Sequence, residues 1–297
     1  MNAAVNILVT GATGNTGREV IRYLIRNPDV QVVAGVRNVE KARRQFPEAD
    51  RLQFIRFDFE DTRSFPEALQ GVHRVFLLRP PHISDVEKFF RPLIGAISAA
   101  GIREVMFLSV QGAGRSKVIP HNKIERLIRD AGPDYIFLRP SHFMQNLTTT
   151  LLSDIRDKHR IVLPAGKAKF NWIDVRNIGE AAAMLLANFS GYRNQILDLT
   201  GTENLTFGAV AEKLSDLLPY PVRYKPVNPV RFFLIKKREG LPAGLIMVMI
   251  MLHFLPRFSR PPQISHVYQE LTGKRPGTLE AFVSREKALL LKEKPGL

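Results

Sequence analysis

Residues Thr10-Gly11-Ala12-Thr13-Gly14-Asn15-Thr16-Gly17 follow a short apolar run and precede a stretch with helical periodicity. Glycines at this spacing let a backbone turn tightly and approach a phosphate with no Cβ in the way. The helix that follows aims its free N–H groups and the positive end of its dipole at the same point. In that setting the turn reads as the pyrophosphate site of a dinucleotide, with Gly11, Thr13, Gly14, Asn15, Thr16 and Gly17 as contacts. The end of the second strand selects the dinucleotide. It reads Gly35-Val36-Arg37-Asn38 and holds no carboxylate for ribose hydroxyls. Arg37 instead offers a planar pair of donors to a 2′-phosphate, so the expected cofactor is NADP(H), with Lys41 or Arg43 assisting. The alternative is that Arg37 is a plain surface charge. Asp58 meets either the adenine amine or the amides of its own turn. Leu78 and Arg79, at the end of the fourth strand, complete the expected cofactor set.

The reacting groups are harder to place. A tyrosine acid of the Tyr-x-x-x-Lys type is absent, because none of the six tyrosines has a lysine four residues on. The chain lacks cysteine, and no clustered His/Asp/Glu set suggests a metal, so none is expected. Ser109 lies in Leu-Ser-Val-Gln-Gly, which is not a hydrolase elbow. The remaining candidates are Ser109, just after the fifth strand, and His121, one helical turn before Glu125. A histidine here suits proton donation near neutral pH. It suits equally a local pairing with Glu125. His142, Phe143 and Asn146 either line a substrate cleft or pack a loop.

Strict strand–helix alternation must position these groups. Strands are expected at Val5–Thr10, Val30–Val36, Leu52–Phe57, Arg74–Leu78, Glu104–Ser109 and Tyr135–Leu138. Between them run helices with Val20, Ile21, Leu24 and Ile25 on one face, with Phe89, Phe90, Leu93, Ile94 and Ile97 on another, and over about His121–Ala131. Ser84 and Glu87 are spaced as a capping box for the second of these. The pattern predicts an α/β fold: a doubly wound parallel sheet of the Rossmann kind. After Pro140 the alternation fades. Asp174 is expected to cap a helix through Asn188, Gln195–Leu199 to be a strand, and Thr206–Leu218 a helix. The expected division is a nucleotide-binding domain of residues 1–146 plus about 172–201. Residues about 147–171 and 202–297 then form a smaller, mostly helical substrate lobe.

The net charge is +15 over 297 residues. The cations are spread along the chain without a recognition helix or an aromatic–basic platform, so no specific nucleic-acid partner is expected. The N-terminal run serves as the first strand rather than a secretory leader, which points to the cytoplasm. Residues 245–255, LIMVMIMLHFL, are nearly all apolar and flanked by basic residues. They are too few to span a bilayer. They read as a buried helix or a lid, with peripheral membrane contact as the alternative. The chain is expected as a monomer or homodimer.

Taken together these pieces resemble the NmrA-like, atypical short-chain dehydrogenase group. The resemblance is carried by TGATGNTG at 10–17, Val36-Arg37-Asn38, His121-x-x-x-Glu125, and Leu138-Arg139-Pro140 through Asn146. It continues in Trp172-Ile173-Asp174-Val175-Arg176-Asn177-Ile178-Gly179, Leu199-Thr200-Gly201 and Leu271 through Phe282. It implies a Rossmann domain with a small C-terminal lobe and NADP(H) in the cleft. His121 is similar to the histidine of NADPH-dependent quinone oxidoreductases and triphenylmethane reductases. The implied activity is hydride transfer to a small hydrophobic electrophile such as a quinone or dye. Other members, similar to the fungal nitrogen regulator, bind the dinucleotide as sensors for a protein partner. Asn177 departs from the group, which more often has Asp there.

Overall fold

The structure is a computed structural model that describes residues 4–46, 51–115, 117 and 119–291. Strands β1 to β6 are Val5–Val9, Val30–Val36, Leu52–Arg56, Arg74–Leu78, Glu104–Leu108 and Asp134–Pro140. β7 to β12 are His142–Phe143, Arg160–Leu163, Lys169–Ile173, Gln195–Leu199, Asn204–Thr206 and Arg223–Pro226. Helices α1 to α5 are Asn15–Leu24, Val39–Arg43, Phe65–Leu69, Val86–Ala99 and Pro120–Ala131. α6 to α10 are Leu152–Lys158, Val175–Ala187, Phe207–Leu217, Pro229–Arg238 and Ala243–Phe254. α11 to α13 are Val267–Thr272, Leu279–Arg285 and Lys287–Leu290.

Two compact units result. The first comprises the chain up to Pro140, Val175–Leu199 and Val267–Lys274. Its seven-stranded sheet has the order β10-β6-β5-β4-β1-β2-β3, with every pairing parallel. Parallel strands are covered on both faces, so they need continuous apolar runs rather than alternation. β1 and β5 supply them: Ile7, Leu8, Val9, Val105, Met106 and Phe107 have no exposed surface. The strand order reverses between β1 and β4. In an open α/β sheet this reversal is where loops at the carboxyl ends part and a ligand enters.

The helices follow their apolar stripes. α4 buries Val86, Phe90, Leu93, Ile94 and Ile97, with Phe89 half-buried. The expected capping box at Ser84 is displaced by one residue. The N-cap is Asp85, whose carboxylate accepts the Lys88 N–H at 3.0 Å, a stronger cap than a serine hydroxyl there. α5 starts on Pro120, a residue suited to the first helical turn, and ends on Gly132 at φ 84°.

The second unit comprises Ser141–Asp174, Thr200–His266 and the chain from Arg275. β7 pairs in parallel with β9, which pairs antiparallel with β11, and β12 pairs in parallel with β8. None of these strands is long enough to show a period in the sequence. Buried Asn171 holds them to the following loop. Its Oδ1 accepts the Gly201 N–H at 2.7 Å and the Ser141 hydroxyl at 2.8 Å, and its Nδ2 donates to Gly201 O and Glu203 O. The unit's core gathers Trp172, Phe207, Phe232 and Phe282. Most of its remaining mass is helix.

Candidate functional site

The glycine turn follows β1 and opens α1. Thr10, fully buried, ties the end of β1 to β4: its Oγ1 donates to Phe76 O at 3.0 Å and accepts the Leu78 N–H at 3.1 Å. Gly11 has φ 59°, and a Cβ there would meet Leu78 at 2.8 Å. A Cβ on Gly17 would lie 2.3 Å from Gly11 O, so the helix rests directly on the turn. Gly14 is the N-cap of α1, and no side chain caps the first turn. Thr13, Gly14 and Asn15 are exposed. The uncapped amides and the exposed, Cβ-free Gly14 between them fit a pyrophosphate. Leu78 therefore acts as the floor beneath Gly11.

At the end of β2, Arg37 is exposed and forms no ion pair among the described residues. Asn38 beside it caps α2 through the Lys41 N–H at 2.8 Å. An unpaired guanidinium on a strand end without acids suits a 2′-phosphate. Asp58 is half-buried and accepts the Glu60 N–H at 3.0 Å on Oδ1, which leaves Oδ2 for a ligand. It therefore holds its own turn whatever it does with adenine.

Arg79 follows β4, the neighbour of β1. Its Nη1 donates to three carbonyls of its own loop: Pro80 at 3.1 Å, Pro81 at 3.2 Å and Ile83 at 2.5 Å. Its Nε points at His121 Nε2, 3.5 Å away. Burial lowers the Arg79 pKa from its usual value. His121 lies in the first turn of α5, tilted against Phe107 with ring centroids 6.0 Å apart. Burial first, then the Arg79 charge, push its pKa down to about 3. The imidazole is neutral at physiological pH. With Arg79 on Nε2, the ring proton resides on Nδ1, which has no partner among the described residues. His121 can therefore offer a hydrogen bond, but it does not carry the second proton of an imidazolium.

The local His121–Glu125 pairing does not occur. Glu125, with no exposed surface, binds Arg139 through two hydrogen bonds, Nε to Oε1 at 2.9 Å and Nη2 to Oε2 at 2.6 Å. That bond raises the Arg139 pKa. Ser109, 2% exposed, donates its hydroxyl to the same carboxylate at 2.6 Å. The serine proton is thus engaged, and only its lone pairs remain free. The sequence reading placed Arg139 only within a family segment and did not foresee its pairing with Glu125. The available signal was a cation at the end of an otherwise apolar strand, level with a buried acid on the preceding helix.

His142, Phe143 and Asn146 belong to the second unit. His142 Nε2 contacts Asn146 Nδ2 at 3.2 Å. The ring sits in an aromatic box: edge-on to Trp172 at 4.6 Å, with Phe170, Phe207 and His253 within 6.0 Å. Burial, then the charge of a protonated His253, push its pKa down to about 3. Asp174, directly before α7, accepts Gln145 Nε2 and Arg285 Nη1, each at 2.7 Å. In the first unit, Asn177 donates to the Tyr268 hydroxyl at 2.8 Å, and that hydroxyl donates to Glu180. An aspartate at 177 would lack this donor and face Glu180 across the phenol, which accounts for the amide.

The NmrA-like family profile matches residues 4–259. An NAD(P)H azoreductase of Xenophilus azovorans is 29% identical over 286 residues, covering 95% of this chain and 98% of that protein. The prestalk A differentiation protein A of Dictyostelium discoideum is 28% identical over 279 residues, covering 94% and 91%. Among solved structures, the NADPH-dependent quinone oxidoreductase of Escherichia coli in complex with NADPH superposes with a TM-score of 0.84. It is 26% identical and covers 94% of this chain and 99% of that one. The profile spans both units and includes the glycine turn, the end of β2 and the His121 corner: the chain belongs to the NmrA-like family.

Proposed function

We propose that the chain is an NADPH-dependent reductase that delivers hydride to a flat, hydrophobic electrophile such as a quinone or dye. The observation that carries this reading is a neutral imidazole beside a fixed cation, His121 and Arg79, at the carboxyl edge of the sheet. This edge holds the glycine turn one strand away. The related azoreductase and quinone oxidoreductase, by their names, reduce acceptors of this kind.

Gly11, Gly14 and Gly17 bring the backbone onto the pyrophosphate, the uncapped turn of α1 binds its charge, and Arg37 selects the 2′-phosphate. When bound, the cofactor supplies the hydride. Nδ1–H of His121 donates to the acceptor oxygen, and the Arg79 charge behind the ring favours the negative charge that develops there. A quinone that takes hydride collects its proton from solvent, so the missing tyrosine acid is tolerated. Glu125 and Arg139 fix Ser109 and stiffen the junction of β5, α5 and β6.

The test gives purified protein NADPH and a panel of quinones and azo dyes while the nicotinamide absorbance is followed. Turnover on at least one acceptor, slower with NADH, is expected. Tight NADPH binding with no turnover on any acceptor would replace the reductase with a dinucleotide sensor.

A further inference from the structure

Helix α10 departs from the pattern of the other helices. Its buried stripe is Ile246, Met249 and His253. The opposite face should be polar in a helix that meets water. Here Leu245, Met247, Val248, Met251 and Leu252 stand there, 40% to 56% exposed. The expectation of a buried helix fails at these five positions. Leu255 and Phe258 extend the surface past the helix end, and α9 adds Val230 and Leu234. Contiguous apolar surface of this kind marks an interaction site.

The charges around it are of one sign. Arg231, Lys237, Arg238, Arg257 and Arg260 are exposed, and none forms an ion pair among the described residues. Residues 229–260 contain a single acid, Glu239, and Lys158 and Lys236 neutralise it. Beside Arg257 opens a cavity of about 850 Å³ to which Lys167 and Lys169 also contribute, and no acid lines it among the described residues.

We propose that the α9–α10 face docks on an anionic lipid bilayer, with the apolar side chains at the acyl boundary and the cations on headgroup phosphates. Charge complementarity selects this occupant. A second copy packed through the same face would set five unpaired cations against five more. Crossing the bilayer is excluded for α10 by length: twelve residues rise about 18 Å, against a hydrocarbon core of about 30 Å. Docking is independent of the reductase chemistry.

Flotation of the full chain with phosphatidylcholine vesicles, with and without phosphatidylserine, tests it. Anionic vesicles should bind on the order of tenfold or more better than neutral ones, and added salt should weaken the binding. Lys237→Glu should lower the partition coefficient about fivefold or more. Leu252→Glu should abolish flotation while leaving NADPH affinity intact, which also shows that the variant folds. In the Leu252→Trp variant the introduced indole should shift its emission to the blue on vesicle addition, over a constant signal from Trp172, which is 1% exposed. No preference for anionic vesicles, flotation indifferent to Leu252→Glu, or an emission from the Leu252→Trp variant that vesicles leave unshifted would overturn the proposal. So would a concentration-dependent dimer that Leu252→Glu dissolves, because a second copy would then be the occupant.

Discussion

His121 and His142 are two histidines held neutral chiefly by burial, and both have pKa values near 3. Their neighbours differ in kind. His121 touches a guanidinium on one nitrogen and keeps the other unpartnered, among the described residues, at the edge of the parallel sheet. His142, half-buried, packs against Trp172, Phe170, Phe207 and His253 of the second unit. A shifted pKa alone therefore does not mark a reacting group; an available donor beside a fixed charge does. On the proposed reading the first histidine acts on a ligand, while the second packs among aromatic rings.

Among single substitutions, the largest expected effect falls on the aromatic box. Phe207→Ala removes a fully buried ring and should lower the unfolding free energy by about 3–5 kcal/mol in urea titrations. NADPH affinity of the folded fraction should not change. A drop in affinity as large as the drop in stability would erase the distinction between the two regions. Next comes the glycine turn. Gly17→Ala places a Cβ against Gly11 O and should raise the Kd for NADPH roughly a hundredfold, about 2.7 kcal/mol, by calorimetry. Arg37→Asp follows: NADPH should weaken by on the order of thirtyfold relative to NADH, and an equal loss of both would remove Arg37 from the site.

The broadest effect, shared by several groups rather than set by one substitution, is on pH. His121, His142 and His253 have folded pKa values of about 3, 3 and 4, below the ordinary 6.5. Between those limits the unfolded chain binds more protons than the folded one. Stability contributed by keeping these rings neutral is full above about pH 6.5 and is lost as pH falls toward 3 to 4. Denaturation midpoints should rise from about pH 4 to about 6.5 and level off. His142→Phe should flatten part of that slope.

The sheet was legible because its strands are short, mostly apolar segments between turn residues. β2, β4 and β10 begin and end where the pattern places them, and β1 and β5 end one residue early. The glycine turn was legible because only glycine satisfies both the φ of residue 11 and the contact at residue 17. Partnerships were not legible. Glu125 lies one helical turn from His121, yet it is drawn to Arg139, since a bidentate guanidinium compensates a buried carboxylate better than a neutral ring does. The aromatic box draws on β7, β9, α8 and α10, elements far apart in the chain, and no local period encodes it. α10 was ambiguous for another reason: an apolar run shows no stripe, so its sequence does not say which side is buried.

The claim that His121 works on the acceptor, while His142 only builds the core, is met most directly by one assay. Quinone-dependent NADPH oxidation is measured at saturating NADPH for His121→Ala and His142→Phe, each shown to bind NADPH as the parent does. The first should lose on the order of a hundredfold in kcat, the cost of a missing hydrogen-bond donor at a developing oxyanion. The second should stay within about threefold, as for a substitution that leaves the reacting groups in place. Equal losses, or a larger loss at His142, would contradict the account.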